Sequence, residues 1–255
     1  MVKDNRFDAY YEGKVAGGSS FGAEQEDSYQ EETAFESEQL TLSGSARADS
    51  AIARHISISG SGHVSKDIKG ETLDCSGSLN VGGNISASRV NVSGSLDCGG
   101  SIRSEYTIAS GSCRAARSVF GQHEISASGS ISAPELVSAE MIRIAGSVHA
   151  DVAKGHEVRL SGGGKVGAVL CCDAYINAGK GGAKLINLFS PGNRRTLMIG
   201  RIESTGHVYV DMCNVGEINA DSVEIGRNCS VDRIVYASNC IVAEGADVKE
   251  KPVRR

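Results

Sequence analysis

The chain has 255 residues, 32 Gly, only three Pro, no Trp and a formal net charge of −5. Hydrophobic residues make up 40% but aromatics only 5%, so the apolar material is small and aliphatic, which excludes a broad aromatic-centred core. The charge balance excludes the strongly basic face of a dedicated nucleic-acid binder, and no run of about 18 apolar residues offers a membrane-spanning helix.

Residues 1–38 hold three basic side chains (Lys3, Arg6, Lys14) and ten acidic ones, a net −7, which leaves +2 on the rest of the chain. The segment has no apolar periodicity and contains Gly-Gly-Ser-Ser at 17–20, a composition that predicts a disordered acidic tail. Its opening, MVKDNRFDAYYEGK, lacks an apolar stretch of signal-peptide type, so a cytoplasmic protein is expected. Six of the twelve aromatics nonetheless sit here. Two readings stand side by side. One is a solubilising arm. The other is a contact segment in which Lys3, Arg6, Phe7, Tyr10 and Tyr11 touch lipid headgroups, where aromatic rings are favoured.

From Leu40 a Ser-Gly pair recurs (Ala-Gly at 145–146), with glycines at 44, 60, 77, 94, 111, 129, 146 and 162 and a ninth, Gly179, in INAG. The gaps are 16 to 18 residues, and self-similarity at a fixed short period predicts a solenoid. Counted from each glycine, aliphatics fall at −4 and −2 (Ile56 and Ile58, Val90 and Val92), at +2 and +4 (Leu79 and Val81, Leu96 and Cys98), and at +8 (Ile52, Ile68, Ile85, Ile102, Val119, Val137). Spacing of two places each pair on one strand face. Each coil therefore reads as three short strands, and the body as an all-β, three-sided parallel β-helix of about 17 residues per coil. Glycine at the corner is expected to supply positive φ, and Ser beside it a local hydrogen bond. Around Gly111, YTIASG shifts the apolar residues by one, which predicts a bulge.

The body is expected over 39–249, roughly 12 coils and about 55–60 Å of axis at the usual interstrand spacing. The stretch GKGGAKLINLFSPGNRR breaks the rhythm and predicts a loop or bulged coil near 180–195, which leaves open whether the body is one rod or two pieces. Lys180, Lys184, Arg194, Arg195 and Arg201 gather there, either as a solvated face or as a patch for an anionic partner. Residues 250–255 read as a short tail. Eight Cys show neither C-x-x-C nor zinc spacing. Cys75, Cys98 and Cys113 fall on the inward phase, so reduced structural thiols are expected.

The SGS-repeat body, closing with SVEIGRNCSVDRIVYASNCIVAEGADVKE, resembles the bactofilins, bacterial polymer-forming cytoskeletal proteins, and in particular the bactofilin-like proteins of Firmicutes. The resemblance covers about 39–249. It implies a right-handed helix, polymerisation without nucleotide, and a scaffolding role for envelope, shape or motility machinery at the inner face of the membrane.

Residue chemistry adds no catalytic centre. SGGGKVG and NAGKGG lack the G-x-x-x-x-G-K-[ST] order, so no nucleotide or other cofactor is expected. The six His occupy different coils without metal spacing. A left-handed acyltransferase helix would place an aliphatic every sixth residue, a rule this chain breaks. The ends carry the functional expectation instead. No amphipathic cap precedes Leu40 or follows Val248, so Leu40 and Leu42 at one end and Ile241, Val242 and Val248 at the other are expected to stack on other copies. Contact between like ends would be isologous and give filaments without polarity. The alternatives are a β-helical platform that recruits an envelope enzyme without polymerising and, behind it, the acyltransferase.

Overall fold

The three inward pairs per coil are all present. The computed structural model describes residues 37–178 and 197–255, which fall within one compact unit. Strand Ala51–Ile58 points Ala51, Ala53, Ile56 and Ile58 inward and turns outward at Arg54 and His55; Ser61–Val64 then points Gly62 and Val64 inward. The same alternation recurs at Ile85–Val92 and Ser95–Cys98. Two sides of the triangle are thus one bent strand, and the third is a four-residue strand. No helix occurs among the described residues.

Every pairing is parallel, and each strand pairs with its equivalent one coil away. One column of stacked equivalents runs Leu40, Ile56, Leu73, Val90, Thr107, Ile125, Ile142, Val158, Ala174, Val208, Val223 and Cys240, twelve rungs in register. A single coil buries nothing alone; the core is the sum of such columns. Between Ala51 and Ile234 most of the inward aliphatics are fully buried.

The corner glycines work differently from expectation. Among the described glycines only Gly44, Gly162, Gly164 and Gly245 have positive φ. At Gly60, Gly77, Gly94, Gly111, Gly129 and Gly146 the constraint is close stacking: a Cβ on any of them would lie within about 2.1 Å of the glycine carbonyl oxygen one coil below. That carbonyl accepts a hydrogen bond from the backbone N–H of the next coil's Ser, as in Ser78 to Gly60 at 2.8 Å and Ser95 to Gly77 at 2.8 Å. The Ser-Gly repeat therefore encodes a tight stack of corners.

Three details depart from the periodic reading. The +8 slot is filled by Ala51 and Leu136, not Ile52 and Val137, because the preceding corner is one residue shorter in those coils. The strand Ile102–Ala109 has no bulge at YTIASG: it stays in register with Ile85–Val92, burying Thr107 and leaving Ile108 40% exposed. A one-residue slip would turn the whole strand inside out. Burying one hydroxyl is the smaller cost, because Thr107 Oγ1 lies 2.7 Å from the Ser104 hydroxyl. The register shift falls instead between Gly121 and Glu124, with a second between Ala220 and Ser222.

The body is continuous across the interruption. Gly164 pairs directly with Leu197 and Ala174 with Val208, so the columns pass from one side of residues 179–196 to the other without a missing rung. At the start, Ser37 and Glu38 already belong to the first strand, Ser37–Leu42. At the close, Val253–Arg254 pairs with Val235 and Tyr236, so the ladder continues into the stretch read as a tail.

Candidate functional site

The two ends of the stack are where the packing stops. Leu40 and Leu42 sit on Ile56 and Ile58, which are 1% exposed, yet they are themselves only half-buried because no rung covers their other side among the described residues. Ala46 and Ala48 end the neighbouring side in the same way. At the opposite end Cys240 and Val242 cap the columns of Val223 and Ile225, and Val248 caps that of Val231. Val242 is 40% exposed. Strand Ser37–Leu42 pairs only with Ala51–Ile58, and residues 239–242 only with 222–225, so each end also presents an open backbone edge among the described residues.

Sequence reasoning placed Leu40, Leu42, Val242 and Val248 at these ends, and they are there. Ile241 is at the last coil too, but it stacks on Glu224 in an outward column and is 52% exposed, so it flanks the end and does not continue the core. Cys240, Ala46 and Ala48 were missed as end rungs; carrying the columns one coil past Val223 and one coil before Gly62 and Val64 finds them. Lys3, Arg6, Phe7, Tyr10 and Tyr11, and Lys180, Lys184, Arg194 and Arg195, lie outside the described residues. Arg201 is described: it is exposed and pairs with Glu203 at 3.2 Å.

Stacking brings together residues that the sequence separates by whole coils. At an outer corner a groove is lined by Tyr106, His123, Glu140, Arg143 and His156. His123 Nδ1 lies 2.9 Å from Glu140 Oε1, and the Tyr106 ring packs at 5.2 Å from the His123 ring. His123 and His156 are two coils apart, a spacing that could have flagged the groove. His123 sits within the Gly121/Glu124 register shift, which gives this corner one residue more than the coil below. No group of three or more His, Cys, Asp or Glu among the described residues is arranged to hold a metal ion.

All eight Cys are free thiols. Burial pushes Cys75 up to about 11 and Cys113 and Cys171 up to about 12. Cys213 and Cys229 are stacked neighbours that share a hydrogen bond, which holds Cys229 below the usual thiol range and pushes Cys213 up. No helix of the described residues is long and apolar enough to cross a membrane. No family model, curated protein or solved structure matches the chain.

Proposed function

We propose that this protein is a non-enzymatic, polymer-forming scaffold of bactofilin type. It assembles end to end without nucleotide and organises envelope, shape or motility machinery close to the inner face of the membrane. The observation that carries the reading is the pair of unfinished ends: among the described residues, aliphatic columns stop at Leu40 and Leu42 and at Val242 and Val248 with one face uncovered and the backbone edge open. An open edge is a template for a further strand, and a solenoid normally closes it with a polar capping unit. Negative-stain microscopy of purified full-length protein without ATP or GTP tests this. Filaments or sheets are expected; monodisperse monomers across ordinary salt and concentration overturn it.

The groove at His123 favours a second reading, a β-helical platform that binds a partner through its side and does not polymerise. A His123→Ala, His156→Ala variant separates the two readings. End-to-end assembly should survive it unchanged, whereas recruitment through the groove should be lost.

A further inference from the structure

We infer that Cys213 and Cys229 form a reversible disulfide on exposure to a peroxide, and that this bond staples the coil of strand Ser230–Val242 to the coil before it.

Placement carries the inference. Asn214 pairs with Ser230, so the cysteine that precedes each occupies the same place in consecutive coils. The Ser230 N–H donates to the Cys213 carbonyl at 3.1 Å, which fixes the two residues one rung apart. Neighbouring rungs lie about 4.8 Å apart, inside the Cα separation of about 4.4–6.8 Å that a disulfide spans. The two thiols already share a hydrogen bond. No other cysteine has a second one above or below it in its column: Cys75 stacks between Ile58 and Val92, and Cys98 between Val81 and Ala115.

The backbone repeats the same corner in both coils. Met212 and Asn228 are the only non-glycine residues among those described with positive φ, at 56° and 55°. Such turns are uncommon away from glycine, and each directly precedes one of the two cysteines. After each turn the next side chain points inward, where Cys213 is 1% and Cys229 2% exposed. A groove lined by Met212, Gly226, Arg227 and Asn228 opens at this corner and gives a reagent as small as a peroxide its route.

The sulfurs differ in the way the reaction needs. The bond shared with Cys213 holds the Cys229 thiol below its usual range; burial opposes this, and backbone N–H groups of Cys213 and Met212 add to it. The same bond, with burial, pushes Cys213 up, so Cys213 keeps its proton. A thiolate is the nucleophile in such chemistry. The Cys229 sulfur attacks one peroxide oxygen and the O–O bond breaks. Hydroxide leaves and recovers, as water, the proton that Cys229 gave up, and Cys229 becomes a sulfenic acid. The Cys213 sulfur then attacks that sulfur, the S–O bond breaks, and the departing hydroxide takes the Cys213 proton as a second water. The two thiols lose two protons and two electrons, and one peroxide is reduced to two waters. A dithiol reductant reverses the bond by exchange.

The test uses the full-length protein. Reduced protein is treated with hydrogen peroxide, denatured in iodoacetamide and cut with trypsin without reduction. Peptides 202–227 and 228–233 each hold one cysteine, Cys213 and Cys229 respectively. They should appear joined as the main disulfide-linked species, two hydrogens lighter than their sum, and separate after dithiothreitol. Amide exchange over Ser230–Val242 should slow about tenfold in the oxidised protein. Cys213→Ser should trap Cys229 as a sulfenic acid that dimedone labels, and Cys229→Ser should leave Cys213 unmodified. Cys213 and Cys229 unlinked after peroxide, whether alkylated or over-oxidised, overturn the inference, as does another pair as the main link. A joined pair with unchanged exchange overturns the staple, and a Cys213→Ser variant that dimedone leaves unlabelled overturns the order of attack. Circular dichroism verifies that the variants fold; the wild-type peptide result does not depend on them.

Discussion

Gly94 lies over Gly77 with no space for a side chain: a Cβ on Gly94 would sit 1.9 Å from the Gly77 carbonyl oxygen and 2.4 Å from that of Ser76. Backbone cannot retreat as a flexible side chain can, so Gly94→Ala must prise two coils apart. The expected loss is about 2–4 kcal/mol, in the range of overpacked interiors and broken backbone networks. Gly44, with φ at +68° and nothing within 4 Å of its Cβ position, should lose only about 1 kcal/mol on substitution by Ala. Urea midpoints of the two variants check the difference; equal midpoints would show that the corner stack is not under steric constraint.

Thr107, in an otherwise apolar column, shares a hydrogen bond with buried Ser104 of the neighbouring column. Thr107→Val alone should destabilise by about 1–3 kcal/mol, since it leaves Ser104 buried without that partner. Ser104→Ala together with Thr107→Val should recover most of the loss, because removing both partners is nearly neutral. A double-mutant cycle in urea reads the coupling.

The buried thiols set an alkaline limit. An unfolded thiol titrates near 9.0, whereas folded Cys75 titrates near 11 and Cys113 and Cys171 near 12. Above pH 9 the unfolded chain releases protons that the folded chain retains, so stability present below pH 9 should decline as pH rises from 9 towards 12. Urea midpoints measured from pH 8 to 11 should fall, and replacing Cys75 and Cys113 by Ala should flatten the slope. At pH 8, half-buried Cys172 and Cys240 should react with a thiol reagent well before Cys75 or Cys113.

Position along the stack should decide the cost of truncating an aliphatic. Leu73 has neighbours on both sides in its column and is fully buried, so Leu73→Ala should cost about 2–5 kcal/mol. Leu42 has one neighbour and is half-buried, so Leu42→Ala should cost less than half as much in the isolated chain. In the end-to-end assembly proposed above the gap should close, because a second copy would cover Leu42. Thermal melts below and above the assembly concentration report this.

The coil, its three inward pairs and the identity of most core residues were legible in the sequence because a period of two within a period of about 17 has few other solutions. Thr107 was not legible: a hydroxyl in an aliphatic slot looks like a phase error until Ser104 is seen beside it. The function of the corner glycines was misjudged because sequence shows one coil at a time, whereas the crowding of Gly94 comes from Gly77 in the coil below. Ile241 looked like an end residue by composition, yet its column partner is Glu224, which places it outside. The His123 groove was overlooked because its side chains meet only through stacking; only the two-coil spacing of His123 and His156 hints at it.

The columns pass from Gly164 to Leu197 and from Ala174 to Val208 without a missing rung, so the described coils on both sides wind as one ladder. A foreign sequence inserted between Ala178 and Leu197 should therefore leave every described rung in register.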